Sequence, residues 1–304
     1  MVTPTHQPTK ILVTGASGLL GQKLLNLLQH QSGIELIGTT RSGVQLPYQA
    51  SIVPLDITDA DAVTRLIQSV RPDIVIHTAA MTQVDECELN HDACWRVNVD
   101  GVRNLTTACS DVHSYFMYLS TDFVFSGAYG PLREEDAPAP VNFYGQSKLA
   151  GEEIVAASGL PCSIIRTALV YGVTPGQVRT NIVLWVKRNL EQQQVIRVVN
   201  DQWRTPTLAE DLADGCWRAA SSRATGIFHI SGNEILTPYE MALRTAEHFS
   251  LDASLIQPVD SDTLRQAARR PPRTGFIIEK ATRQLGFRPH SFAQGLEIVS
   301  QQLP

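Results

Sequence analysis

The chain predicts an α/β protein, a doubly wound parallel sheet followed by a smaller, mixed C-terminal lobe. Three observations carry that expectation. Short apolar runs alternate with helical patterns through the first 172 residues, the rhythm of a parallel sheet with helices on its faces. The first run, KILVT at 10–14, enters a glycine-spaced loop and then a helix. Several later runs end in small or hydroxylated residues, and ligands of such sheets bind at the carboxyl ends of the strands.

The loop after the first strand is Gly15-Ala-Ser17-Gly18-Leu19-Leu20-Gly21, followed by a helical pattern at Leu24, Leu25, Leu27 and Leu28. Glycines let the backbone approach a pyrophosphate, and a helix N-terminus favours its charge. A second strand, Glu35 to Thr39, runs into Thr40-Arg41-Ser42. A site selective for NAD carries an acid near this point. Arg41 suits a 2′-phosphate instead, which favours NADP(H) over NAD(H). The third strand, Ser51 to Leu55, ends in Asp56-Ile57, where Asp56 is expected to face an adenine amino group or to cap the next helix. That helix spans Asp59 to Val70 and stops before Arg71-Pro72. The strand Asp73 to His77 leads to Thr78, Ala79 and Ala80, small residues that let backbone pass close under a cofactor. Met81 to Leu105 reads as one long helix, with Asn98 placed to pin neighbouring backbone.

The strand Tyr115 to Leu119 ends in Ser120-Thr121-Asp122, and the next helix carries Tyr144 and Lys148. Residues spaced four apart share a helix face. A phenol titrates near about 10 in water, and a fixed ammonium beside it is expected to lower that value. A tyrosine so tuned gives a proton to a carbonyl oxygen while a hydride arrives from elsewhere. Thr121, at a strand end, is placed to hold that oxygen.

Beyond Gly159-Leu-Pro161, a strand Cys162 to Arg166 continues the sheet and Thr167 to Gly172 leads away from it. A helix Asn181 to Leu190 and a strand Val195 to Val199 follow. Thr207 and Glu210 are expected to form a capping box for a helix to Ala220, and Thr237 and Glu240 another after a strand Gly226 to Ser231. Residues 1–172, with about 200–232 returning to them, form the expected cofactor domain; 173–199 and 233–304 form the substrate lobe. Arg270 and Arg273 are candidates for a diphosphate clamp.

Bulk properties set limits. A net charge of -5 with no basic block gives nucleic acid no footing. No apolar run reaches membrane length and the start, MVTPTHQPTK, has no apolar signal core, so no membrane partner and a cytoplasmic location are expected. The five cysteines (Cys87, Cys94, Cys109, Cys162, Cys216) form no metal spacing and read as reduced thiols. Asp85, Glu86 and Glu88 read as a solvated acidic face, so no metal site is expected.

Taken together, GASGLLG at 15–21, HTAA at 77–80, STDFVF at 120–125 and YGQSK at 144–148 resemble the extended short-chain dehydrogenase/reductases, over nearly the whole chain. Within that family the likeness is to dTDP-4-dehydrorhamnose reductases, through RTALVYG at 166–172, VVNDQWRTPTLAEDLA at 198–213, and RRPPRTGF and LGFRP near the end. The resemblance implies a Rossmann-type fold, hydride transfer from a nicotinamide to a 4-keto nucleotide sugar, and a catalytic set of Thr121, Tyr144 and Lys148. It implies cofactor contacts from Gly15, Ser17, Gly18, Leu19, Leu20, Gly21, Arg41, Asp56, Ile57, Thr78, Ala79, Ala80, Tyr144 and Lys148. Thr82, Val84, Asp122, Arg204 and Arg270 fall on the substrate side, and a homodimer is expected. Leu169 stands where those reductases usually carry tryptophan, and Trp203-Arg204 replaces a pair that normally ends in glycine; both departures leave the sugar and nucleotide open. A nucleotide-sugar epimerase is one alternative. A dehydratase is disfavoured because Phe123 replaces the acid that such enzymes carry after Asp122. The other alternative is an NADP-binding regulatory protein similar to the methionine adenosyltransferase beta subunit.

Overall fold

Seven parallel strands make the central sheet of the computed structural model, which describes residues 7–176 and 180–303. The first six residues, 177–179 of the expected lobe and Pro304 lie outside the described residues. The strands are β1 (Thr9–Thr14), β2 (Ile34–Thr40), β3 (Ser51–Pro54), β4 (Ile74–His77), β5 (Tyr115–Thr121) and β6 (Cys162–Thr167). Then come β7 (Val170–Tyr171), β8 (Ile196–Val199), β9 (Thr207–Leu208), β10 (Gly226–His229) and β11 (Ile256–Val259); β7 pairs with β9 and β8 with β11 in two small sheets. The sheet runs β10-β6-β5-β4-β1-β2-β3. The order reverses between β1 and β4, the switch point at which a doubly wound sheet opens a crevice.

The helices are α1 (Leu19–Leu28), α2 (Ala60–Val70), α3 (Val84–Leu89), α4 (His91–Trp95), α5 (Gly101–Val112), α6 (Phe143–Ala157), α7 (Ile182–Glu191), α8 (Ala209–Ser221), α9 (Pro238–His248), α10 (Glu279–Leu285) and α11 (Phe292–Gln302). Strand side chains alternate between faces, and both faces of a parallel sheet are covered. Ile11, Val13, Ile76, Tyr115 and Met117 pack under α1 and α8. Leu12, Val75, Phe116 and Tyr118 pack on the opposite face under α2 and α5. The lobe carries two further clusters, one around Tyr171, Met241 and Phe292 and one around Val186, Ile196 and Ala246. Strand β10 returns to the sheet beside β6, so the chain leaves the sheet and rejoins it.

Two sequence expectations are corrected. Met81 to Leu105 is not one helix: α3 ends at Leu89, α4 spans five residues, and a turn of π-helix, Arg96–Asp100, precedes α5. The wider turn carries Asn98, whose side chain bonds both the amide and the carbonyl of Met81, at 2.8 and 3.0 Å; inserted turns of this kind mark functional sites. Thr207 forms no capping box. It belongs to β9, paired with Val170, and its hydroxyl donates to the Ala168 carbonyl at 2.7 Å. The box at Thr237 and Glu240 is present.

Beneath the carboxyl end of β5 lies a buried ion pair. Arg166 on β6 donates from Nε and Nη2 to the two oxygens of Glu152 on α6, at 2.9 and 2.6 Å, and the Ser120 hydroxyl donates to the same carboxylate. Removing one partner of such a pair leaves a bare buried charge. Arg166→Met should therefore cost about 3–5 kcal/mol of stability, read from the urea midpoint, and adding Glu152→Leu should return much of it. A single variant as stable as the parent protein would contradict this account of the pair.

Candidate active site

The crevice is built from the carboxyl ends of β1, β4 and β5. Gly15 has φ +70°, and a Cβ there would stand 2.7 Å from the Ala79 amide nitrogen. A Cβ on Gly21 would stand 2.3 Å from the Gly15 carbonyl oxygen. Both glycines are thus required by close packing of the loop against α1 and against the segment after β4. Gly18 is the N-cap of α1 and offers no side chain to its first amides, which leaves them for an anionic group. Leu19 is half-buried and Ser17 exposed along the loop, whereas Leu20 belongs to the core. The Thr78 hydroxyl donates to the Thr14 carbonyl at 2.7 Å, holding half-buried Thr78, Ala79 and Ala80 alongside the loop. Arg41 is exposed at the end of β2. Asp56 accepts from the amide and hydroxyl of Thr58, at 2.9 and 2.8 Å, and those bonds, with the Arg41 charge, keep its carboxyl below its ordinary range. The cap of α2 is Asp59. Ile57 is a core side chain whose carbonyl accepts from Asn104 at 3.0 Å. The loop, the uncapped helix start and the small residues after β4 fit the diphosphate of a nicotinamide dinucleotide.

Tyr144 and Lys148 stand on the first turns of α6, whose start Asn142 caps by accepting from the Gly145 amide at 2.8 Å. Gly145 allows that start to sit against the turn after β5: a Cβ there would lie 2.1 Å from the Phe123 carbonyl oxygen. Tyr144 and Lys148 are 8% and 4% exposed, and this dryness corrects the expectation of a lowered phenol pKa. Burial raises the Tyr144 phenol, a hydrogen bond with Thr121 draws it back, and the Asp122 charge raises it further. Burial also pushes the Lys148 amine down to about 7, opposed by the nearby Glu152 charge. Loss of water thus favours the neutral phenol and weakens the hold of Lys148 on its proton, so burial opposes a phenolate–ammonium pair. The Lys148 nitrogen lies 4.1 Å from the centre of the Tyr118 ring. Below it, His77 shares a 2.7 Å hydrogen bond between Nδ1 and the Thr14 hydroxyl, and burial, with the Lys148 charge, takes its imidazole down to about 3.

On the substrate side, Thr82 is exposed, and Val84 packs beside the cluster of Cys87, Cys94 and Tyr144. Asp122 is buried. Its carboxylate meets Arg204 Nε at 3.2 Å and the hydroxyls of Thr274 and Thr121. Burial raises the carboxyl, with the Arg204 charge opposing. Arg204 is buried too, and its Nη groups donate to the carbonyls of Pro271, at 2.6 Å, Pro272 and Trp203. Arg204, expected on the substrate side, thus braces the end of β5 against the C-terminal segment. Arg270 likewise makes a two-point pair with Asp85, at 2.6 and 2.7 Å. Asp85 and Glu88 are not a solvated face: Asp85 also accepts from the Ala268 amide, and Glu88 accepts from the Phe143 amide at 2.9 Å. Leu169 adopts φ +43°, an uncommon conformation for a branched side chain.

Sequence reasoning missed Thr274 and the Glu152–Arg166 pair. Glu152, one helical turn after Lys148, was a readable signal on the same face; the approach of Thr274 to Asp122 across 152 positions was not. Among the described residues, no helix is long and apolar enough to cross a membrane, and the five cysteines are free.

Fold and site define a class: the chain is one of the NAD(P)-dependent Rossmann-fold proteins of the nucleotide-sugar-modifying superfamily. More particularly, residues 9–303 match the family described as "RmlD substrate binding domain", and the chain belongs to it. A dTDP-4-dehydrorhamnose reductase from Bacillus anthracis, solved in complex with NADP, superposes with a TM-score of 0.83 at 30% identity, covering 97% of this chain and 100% of that one. The methionine adenosyltransferase 2 subunit beta of Pongo abelii is 33% identical over 86% of this chain and 78% of its own length. The spore coat polysaccharide biosynthesis protein SpsK of Bacillus subtilis is 32% identical over 97% of this chain and 98% of its own.

The three loop glycines should separate by geometry. Gly15→Ala and Gly21→Ala should melt well below the parent protein. Gly18→Ala meets nothing closer than 3.2 Å and should melt near the parent while binding dinucleotide more weakly, read by fluorescence titration. Equal melting losses in all three would contradict the assignment.

Proposed function

We propose that this protein is an NADPH-dependent reductase of a 4-keto nucleotide sugar. The observation that carries the proposal is the dry, protonated Tyr144 beside Thr121 at the end of β5. Support also comes from similarity to a dTDP-4-dehydrorhamnose reductase over 97% of the chain. When bound, NADPH supplies a hydride to the keto carbon. The chain's own residues do the rest. Thr121 holds the sugar oxygen by its hydroxyl, and the Tyr144 phenol gives that oxygen a proton as negative charge builds on it. A phenol kept neutral by burial is the acid form that reduction needs. Lys148, neutral or charged near pH 7, gains its proton readily when a negative charge enters the crevice and then stabilises the phenolate left behind. Asn98 holds the backbone at Met81 against α6 through its bond to Ser147, at 3.0 Å. Arg41 takes the 2′-phosphate that distinguishes NADPH.

The second reading, a regulatory subunit acting through a synthetase, rests on the likeness to methionine adenosyltransferase 2 subunit beta. NADPH oxidation against a panel of 4-keto nucleotide sugars separates the two. The reductase consumes NADPH in step with at least one sugar; no consumption across the panel, with a synthetase copurifying, overturns it. Tyr144→Phe should lower turnover by about 10²–10⁴-fold while cofactor affinity holds. Thr121→Val should cost about 1–3 kcal/mol of transition-state stabilisation. Full activity in Tyr144→Phe would sink the assignment of the acid.

Arg41→Ala should weaken NADPH binding and leave NADH binding nearly unchanged. An equal loss for both cofactors would refute the role given to Arg41.

A further inference from the structure

Gln22 stands in the first turn of α1, directly after the glycine loop, and is only 2% exposed. The buried leucines of the same helix, Leu20, Leu24, Leu25 and Leu28, meet the core with apolar side chains, so packing alone does not call for an amide here. A buried amide is costly unless it finds partners, and Gln22 finds three. Its Nε2 donates to the Ser17 carbonyl at 3.0 Å and to the Pro175 carbonyl at 3.3 Å, and its Oε1 accepts from the Tyr48 hydroxyl at 3.1 Å. Two carbonyls can only accept, so the surroundings fix which way the amide faces. One side chain therefore joins three segments: the loop after β1, the stretch after β2 that begins at Arg41, and the segment between β7 and α7. The stretch after β2 is laid along α1 a second time, where the Gln49 amide donates to Gln29 Oε1 at 2.9 Å.

The bond to Ser17 bears most directly on the cradle. The peptide between Ser17 and Gly18 is planar. Its N–H donates to the Gly15 carbonyl at 2.9 Å, and its C=O accepts from Gln22. Held at both ends, that peptide sets the direction of the Leu19 and Leu20 amides that follow it, the first amides of α1 and those open to an anionic group. We propose that Gln22 is a positioning residue for the dinucleotide: it presets the diphosphate loop before the cofactor arrives and keeps that loop in register with the Arg41 stretch and the lobe. A loop already held in its bound form has less freedom to lose on binding, and affinity rises accordingly. This role rests on the reading of the loop as a diphosphate cradle.

The test is the dissociation constant of NADPH and of NADH, by fluorescence titration of variants of the full chain. Gln22→Met keeps the length of the side chain and removes both donors. It should weaken both dinucleotides about 10-fold, the scale of one or two lost hydrogen bonds, because the diphosphate is common to the two; Arg41→Ala, by contrast, should touch NADPH alone. In turnover the loss should appear in KM for NADPH rather than in kcat. Tyr48→Phe removes the third partner and leaves both donors, so it should bind within about twofold of the parent protein. Lys23→Met is the control for a purely structural tie of the same helix. Lys23 Nζ lies 2.7 Å from Glu210 Oε1 on α8 and 2.7 Å from Gln302 Oε1 on α11, and its loss should leave both affinities within about twofold. Should Gln22→Met not fold, Gln22→Asn, too short to span both carbonyls, takes its place with the same expected loss. Parent-like affinity in the Gln22 variant would overturn the role. An equal loss in Tyr48→Phe or Lys23→Met would overturn it too, since any loosening around α1 would then suffice. A parent chain that binds neither dinucleotide would fail the cofactor reading itself, and the role of Gln22 with it.

Discussion

Exclusion of water at the junction of β5 and α6 governs the rest of the site. An amine and a phenol placed there both lose hydration, and both are driven toward their neutral forms. The ion pair beneath makes such a site foldable. Glu152 stands one turn after Lys148 on the same helix, held by Arg166 from the next strand and by Ser120 from the strand that ends in Thr121. Its charge is already balanced by Arg166, so it moderates the Lys148 amine without fixing it as an ammonium. A group poised in this way changes protonation when a ligand's charge arrives, and an acid kept protonated until then does not spend its proton early.

The same reasoning explains why the lobe is tied to the sheet at Asp122. A buried carboxylate beside the acid would be costly alone. Arg204, Thr274 and Thr121 share it, and Arg204 then reaches the carbonyls of 271 and 272. The end of β5 therefore registers the position of the C-terminal segment. Arg270 and Asp85 make a second tie, from the same segment to α3. Arg270, which the sequence offers as a cation for a diphosphate, is engaged with Asp85 in that second tie.

Local signals carried the reading well where the structure is local. The apolar runs, the glycine loop and the cap at Thr237 all depend on neighbours within a few residues, and β1 to β6 and α1 emerge where the pattern puts them. Tyr144 and Lys148 share a helix face because their spacing requires it. The failures are long-range. Nothing near Arg204 announces Asp122, and the pairing of Thr207 with Val170 in β9 overrides a local capping signal that looks complete. The π turn places Asn98 on the amide and carbonyl of Met81, a backbone group outside the helix that no local signal announces. The protonation of Tyr144 and Lys148 was also beyond the sequence, because spacing reports proximity while burial decides charge.

The central claim is that Lys148 is held in a dry site where its amine titrates near neutrality in the ligand-free protein. The chain has five lysines, Lys10, Lys23, Lys148, Lys187 and Lys280, few enough for carbon-13 labelling at the Cε position and assignment of Lys148 by its Lys148→Met variant. Followed by NMR across pH, the resonance that disappears in the variant should titrate close to 7. A Lys148 resonance titrating at about 10.4, the ordinary value for a hydrated lysine, would contradict the account.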